Sequence, residues 1–335
     1  MNNIEAICNF LFTVLRMATP LIYGALAVCV TRQAGLRNMA VESMMLSSAL
    51  CGVIVSGYLN SLGLGLLGGI IGGILISLVI SYAAFICKTD LWMTCIAMNT
   101  ALVGGTILVM YLLTGQKTNT LGHILSKAMD SWDIPLLINI PIIGAVLSGQ
   151  NGFTYIAFFL IFVEWFFLFK TTVGLRIRAI GQNPQAAASV GISVNKMYFL
   201  SFGISGFFAA LGGMFMSMGY LKWFARDMIA GRGYISMSAA NIADGMPVGA
   251  ALVAILFGFS DAVGNYGQAT NKMPGEFAFM FPYVATIMLL VVMNLYKKAR
   301  YNRKQKQRIE DARRGEDFGK ETLIQGSDGV SVRYE

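Results

Sequence analysis

Long stretches without a single charge constrain this chain more than any other feature. Residues 64–87, 91–115, 197–221 and 277–296 carry no charged side chain and are overwhelmingly apolar. Each reaches the roughly 20 residues that a helix needs to cross a hydrocarbon layer about 30 Å thick. A fifth run, residues 153–169, carries one acid, Glu164. Strands of an outer-membrane barrel would alternate apolar and polar residues, and these runs do not. Their backbone groups must therefore be satisfied inside helices. A composition that is 56% hydrophobic and 13% charged, with a mean hydropathy of +0.64, excludes an ordinary soluble domain and agrees with a polytopic membrane protein.

The net charge of +8 raises the question of nucleic acid, but the basic residues sit beside the ends of the apolar runs. That is where the bias toward cytoplasmic lysine and arginine places them, so orientation accounts for the charge and no nucleic-acid partner is expected. Lys297, Lys298, Arg300, Arg303, Lys304, Lys306 and Arg308 follow the last run with no acid among them. They predict a cytoplasmic C-terminus that touches membrane lipids. The expected division is a membrane domain over residues 1–296 and a basic, poorly ordered cytoplasmic tail over 297–335. Five cysteines without C-x-x-C spacing and a single histidine, His123, support neither a disulfide framework nor a metal site.

Residues 170–196 hold Lys170, Arg176, Arg178 and Lys196 and no acid, which places them inside. Residues 222–276 then start and finish on the outer side, yet their apolar stretches 234–243 and 248–260 are short for a crossing. The expectation is a broken hairpin that dips into the membrane and turns at Asp244-Gly245-Met246-Pro247. Residues 31–42 form a similar interruption in the first half, after an apolar run that Arg16 shortens to residues 17–30. Two interrupted segments in corresponding halves hint at a repeat around a central pathway. Gly65, Gly68, Gly69, Gly72 and Gly73 suit close approach of a neighbouring helix.

Within the inside loop, Gly181, Gln182, Asn183, Pro184, Gln185, Ala186, Ala187, Ala188, Ser189, Val190 and Gly191 read as a short isolated helix. Asn183 suits the cap, Pro184 the first helical position and the alanines the body, while Gly191 suits a left-handed stop. Two turns are too short to persist alone in water, so the helix needs the following span and a partner groove.

Residues 168–194 resemble the cytoplasmic coupling loop of permease subunits in ABC importers for nucleosides, ribose and other simple sugars, a family allied to the branched-chain amino acid permeases. Further blocks in the same order carry the resemblance: Thr19-Pro20-Leu21, residues 32–45 (RQAGLRNMAVESMM), residues 201–213, Gly231-Arg232-Gly233-Tyr234 and residues 247–262. Ala40 and Ser43 stand where the family usually has glycine, and residues 241–245 depart from its pattern.

The resemblance implies an all-α polytopic membrane protein of about eight to ten membrane helices, some interrupted or re-entrant, with a cytoplasmic coupling helix. It implies assembly in a bacterial cell membrane with a cytoplasmic ABC ATPase, a second permease of different sequence and an extracellular substrate-binding lipoprotein. ATP would be used by the partner, and no cofactor by this chain. In keeping with that division, no G-x-x-x-x-G-K-[ST] phosphate loop is present; Gly319-Lys320 is followed by Glu321.

Charged groups at membrane depth are expensive and mark functional candidates. Glu42 is expected to pair with Arg32 or Arg37 and hold the first interruption, Asp244 and Asp261 to flank the second, and Glu164 to reach toward Lys170 or the interface. Asn38, Asn99 and Asn241 are candidates for hydrogen bonds between helices or to a sugar hydroxyl. The candidate pathway and broken-helix set is thus Asn38, Glu42, Asn241 and Asp244. Two other readings compete: a branched-chain amino acid permease, and a proton-coupled secondary transporter using the same carboxylates.

Overall fold

The computed structural model describes residues 3–132 and 143–269, with scattered positions between 280 and 305. The predicted span 277–296 and the basic tail after it lie largely outside the described residues. Among the described residues the chain is helical, with α1 (Asn3–Gln33), α2 (Val41–Leu59), α3 (Leu62–Ser81), α4 (Leu91–Thr114), a five-residue α5 (Ile143–Leu147) and α6 (Gly152–Lys170). There follow α7 (Thr172–Gln182), α8 (Pro184–Ser189), α9 (Val194–Met214), α10 (Arg232–Ile242) and α11 (Pro247–Ala269). Turns of π-helix lengthen α3 to Ile86 and α9 to Leu221. Seven of these helices are long and apolar enough to cross a membrane, which makes this a multi-pass, all-α membrane protein.

Helix α1 is the axis of the bundle and packs on α11, α9, α10 and α6. Its central residues, among them Leu21, Tyr23, Leu26 and Val30, are fully buried. Arg16 does not divide it, contrary to expectation: the guanidinium lies over the Tyr220 ring, 4.9 Å from its centroid, and α1 runs on through Pro20. The glycines of α3 are packing positions. Gly65 and Gly72 meet Ser56 and Cys51 of α2, and Gly69 and Gly73 meet Met214 and Ala210 of α9. These close approaches seat α3 between α2 and α9.

The second half departs from the predicted dip. Helix α11 has 23 residues and runs through Ser260 and Asp261 without interruption. It lies antiparallel to α1, with Phe10 edge-on to Phe259 at 5.5 Å and Gly258 against Ala18. Asp261 therefore sits inside a helix and does not flank a break. The 244–247 turn, with Asp244 and Gly245 at positive φ, falls at the C-terminal end of α1, where Gln33 Nε2 donates to the Gly245 carbonyl at 2.9 Å. It is an end turn, not a mid-membrane one. Apolar stretches counted alone underestimated α11, because polar residues that leave its buried stripe intact do not stop a helix.

At the opposite end, residues 118–126 cover the chain that leaves α9. Thr120 N donates to Phe224 O at 2.9 Å, Arg226 N to Thr118 O at 2.9 Å, and Ser126 N to Lys222 O at 3.0 Å.

Candidate functional site

Glu42, in the first turn of α2, is buried and joins the two irregular segments of the chain. Its Oε1 accepts from Gly231 N at 2.8 Å and its Oε2 from Gly233 N at 2.7 Å. One carboxylate thus closes the N-terminus of α10, where free backbone donors and the helix dipole both favour a negative group. Gly231 has φ +80°, and a Cβ on Gly233 would stand 2.6 Å from Glu42 N, so neither position accepts a side chain without displacement. The expected partners Arg32 and Arg37 are not used: Arg32, in the last turn of α1, turns to Asn241 and Asp244, while Glu42 is aimed at the start of α10. The glycines at 231 and 233 were visible in the sequence, but nothing there linked them to Glu42.

Beside this junction, Asn99 of α4 holds three groups at once. Its Oδ1 accepts from Ser43 N at 3.2 Å, and its Nδ2 donates to Met39 O and to the Tyr234 hydroxyl, both at 2.9 Å. Asn99 lies eight residues beyond Leu91, about 12 Å along α4, so α2 and α10 both begin at depth. Asn38 is fully buried and also engaged, donating to Ser205 Oγ at 2.9 Å and accepting from Ala40 N at 2.9 Å. Asn99 ties α4 to α2, to α10 and to the segment before α2, and Asn38 ties that same segment to α9.

At the far end of α10, Arg32 donates to Asn241 Oδ1 and to Asp244 Oδ1, the latter at 3.1 Å. The pair is half-exposed, with side-chain exposures of 35% and 60%. Arg32, Asn241 and Asp244 line a cavity of about 790 Å³ together with Trp92, Arg178 and Met237. Of the predicted pathway set, Asn38, Asn241 and Asp244 thus border one space, and Glu42 lies outside it. Glu164 does not reach outward: it is 1% exposed, and neither carboxyl oxygen has a hydrogen-bond partner among the described residues.

The loop after α6 folds as two helices. Thr171 Oγ1 caps α7 by accepting from Gly174 N at 3.1 Å, and Asn183 Oδ1 caps α8 by accepting from Gln185 N at 3.0 Å and Ala186 N at 3.1 Å. Pro184 occupies the first turn and Gly191 takes φ +84°. Ile177, Ile180 and Ala187 bury against Ala34 and Leu168, which ties both helices to the end of α1. The rest of α8 faces outward: Pro184, Gln185, Ala186, Ala188 and Ser189 are exposed, and Val190 is 74% exposed. The cavity and the α8 projection meet where Gly181 touches Gly35, and a Cβ on Gly181 would fall 2.0 Å from the Gln33 carbonyl oxygen. This seam was not foreseen, since two glycines 146 positions apart give no pairing signal.

Over residues 10–294 the chain matches the family described as branched-chain amino acid transport system / permease component. The chain belongs to this family. A guanosine ABC transporter permease of Bacillus subtilis is 32% identical over 82% of this chain and 88% of its own length. A nucleoside ABC transporter permease of Lactococcus lactis subsp. cremoris is 29% identical over 87% and 94%, and a putative glucose ABC transporter permease of Haloferax volcanii 27% identical over 83% and 85%. The chain is thus a permease subunit of an ABC transporter.

Proposed function

We infer that this permease imports a nucleoside, with a simple sugar as the second substrate class, and that a separate cytoplasmic ATPase drives it. The observation that carries the driven-subunit reading is the α8 projection. It is a capped helix with one buried residue, Ala187, anchored on the loop that holds four basic residues and no acid. Such a rigid stub, marginal in isolation, suits a groove on a partner that moves it as a body. The positive charge of residues 170–196 puts the stub in the cytoplasm. The strap of residues 118–126 then faces outward, toward an external lipoprotein that delivers the substrate. A second permease of different sequence completes the pathway in a bacterial cell membrane, with ATP used by the ATPase.

Nucleoside is favoured over branched-chain amino acid because the relatives at 32% and 29% identity carry guanosine and nucleoside in their names. The test is replacement of residues 184–188 with a Gly/Ser stretch in the complex purified from native membranes. Loss of substrate-stimulated ATP hydrolysis and uptake, with the permease still inserted, is the expected result. Uptake at the parent rate would refute the coupling role. Competition of uptake by guanosine, glucose and leucine separates the substrate classes.

A further inference from the structure

Most outward faces of the long helices are apolar, as contact with hydrocarbon requires: α3 turns out Leu64, Leu67, Ile71, Leu75 and Leu78, and α4 turns out Met93, Ile96, Leu108 and Leu112. Helix α10 breaks this pattern. Ile235, Ser236, Ala239, Ala240 and Ile242 are buried, whereas Tyr234, Met237, Ser238 and Asn241 lie along its uncovered side. Their spacing of three, four and seven residues puts them on one stripe. The stripe starts beside the Glu42 junction and ends in the cavity that Asn241 and Met237 line.

A polar stripe on an uncovered helix at this depth does not suit lipid, which would leave the Tyr234 phenolic proton and the Asn241 NH₂ without a partner. Its chemistry is specific. The Tyr234 hydroxyl accepts from Asn99, which fixes the ring and leaves the phenolic proton to donate. Ser238 donates to the Tyr234 carbonyl at 3.1 Å, so its oxygen remains an acceptor. Asn241 Oδ1 accepts from Arg32, and its NH₂ is left to donate. No charged side chain occurs on the stripe before Asp244, which is engaged by Arg32.

We propose that the Tyr234–Met237–Ser238–Asn241 face of α10 is the water-filled wall along which the substrate passes, and that it selects an uncharged solute bearing a planar, hydrogen-bonding ring. The Tyr234 ring face and Met237 thioether contact such a ring, and the donors and acceptor serve its carbonyls and N–H groups. Along the stripe itself, the ammonium and carboxylate of an amino acid find no countercharge before the Arg32, Arg178 and Asp244 side chains of the cavity. This rests on the nucleoside-permease reading above and assigns the residues that would enforce it.

The experiment uses the full transporter complex in proteoliposomes, with Ser238→Cys and, as a lipid-facing control, Leu108→Cys. Each is labelled with a charged, membrane-impermeant methanethiosulfonate reagent, above the background of the parent cysteines. Ser238→Cys is expected to label, guanosine to suppress the labelling and leucine to leave it unchanged, while Leu108→Cys stays unlabelled. Alongside, Tyr234→Ala is expected to raise the transport KM for guanosine about tenfold, the scale of one lost base–aromatic stack, with little change in kcat. Labelling of Ser238→Cys no greater than that of Leu108→Cys overturns the proposal. So does labelling that guanosine does not suppress. Failure of the nucleoside reading would show separately, as uptake by the parent complex that guanosine does not compete.

Discussion

Glu42 offers the sharpest test of how the two irregular segments are held. Its two carboxyl oxygens accept from two backbone donors, at 2.8 and 2.7 Å, in a largely buried site. Truncation in Glu42→Ala leaves Gly231 N–H and Gly233 N–H buried and unpaired. At about 1–3 kcal/mol for each orphaned donor, the loss is about 2–6 kcal/mol. Release of the carboxylate from its desolvated position offsets part of this, so the lower half of the range is the firmer expectation. Glu42→Gln keeps one acceptor and points an NH₂ at the other glycine, for a loss of roughly half as much. In lipid nanodiscs, the thermal unfolding midpoint followed by tryptophan fluorescence should drop by roughly 3–9 °C for Glu42→Ala and by less for Glu42→Gln. Ser43→Ala, which loses a single hydroxyl bond to the Ala40 carbonyl, is the neighbouring control. A Glu42→Ala midpoint no lower than that of Ser43→Ala would refute the claim that this carboxylate holds the start of α10.

Other substitutions separate stability from transport. Glu164→Gln should leave the thermal midpoint unchanged or raise it, because the carboxyl is buried without a hydrogen-bond partner among the described residues and the amide removes any charge; a clear drop in the same melt would reveal a counterion. Gly181→Ala brings a methyl group against the Gln33 carbonyl oxygen and should cost about 1–3 kcal/mol in the melt, with a larger fractional loss in ATP-driven uptake. The half-exposed Arg32–Asp244 pair should give a coupling energy of about 0–1 kcal/mol in a double-mutant cycle of midpoints, shrinking as salt is raised.

Span existence was legible because it needs only hydrophobic length, and α3, α4, α6 and α9 lie within a few residues of where apolar runs predict them. The capping of α8 was legible too, since Asn183, Pro184 and Gly191 each act within their own turn. Depth and pairing were not. The 244–247 turn looked like a mid-membrane break because its flanking stretches were measured by apolar length alone. What places it at the end of α1 is the register of Phe10 on Phe259 and Ala18 on Gly258, a long-range fit. Glu42 was singled out for the right reason, an expensive buried charge. Its partners are backbone N–H groups, which every residue but proline carries and which no sequence can single out.

That difference bears on how a push at α8 would reach the pathway. Side-chain pairs on long stems can absorb displacement by changing rotamer; backbone-to-backbone contacts cannot. At the Gly181–Gly35 seam no side chain intervenes, and Gly35 directly follows the buried Ala34 that packs under Ala187 and Ile180. Two residues earlier, Gln33 and Arg32 hold the 244–247 turn through Gly245 and Asp244. The turn is continuous with α10, whose other end is fixed by the Glu42 carboxylate. A displacement of α7 and α8 is therefore passed with little slack as far as Gly35, and from there through the Arg32 and Gln33 side chains to the turn that ends the polar α10 stripe. Lengthening this path by one methyl group at position 181 should then weaken coupling before it weakens folding, which is why uptake is expected to fall further than the melting temperature.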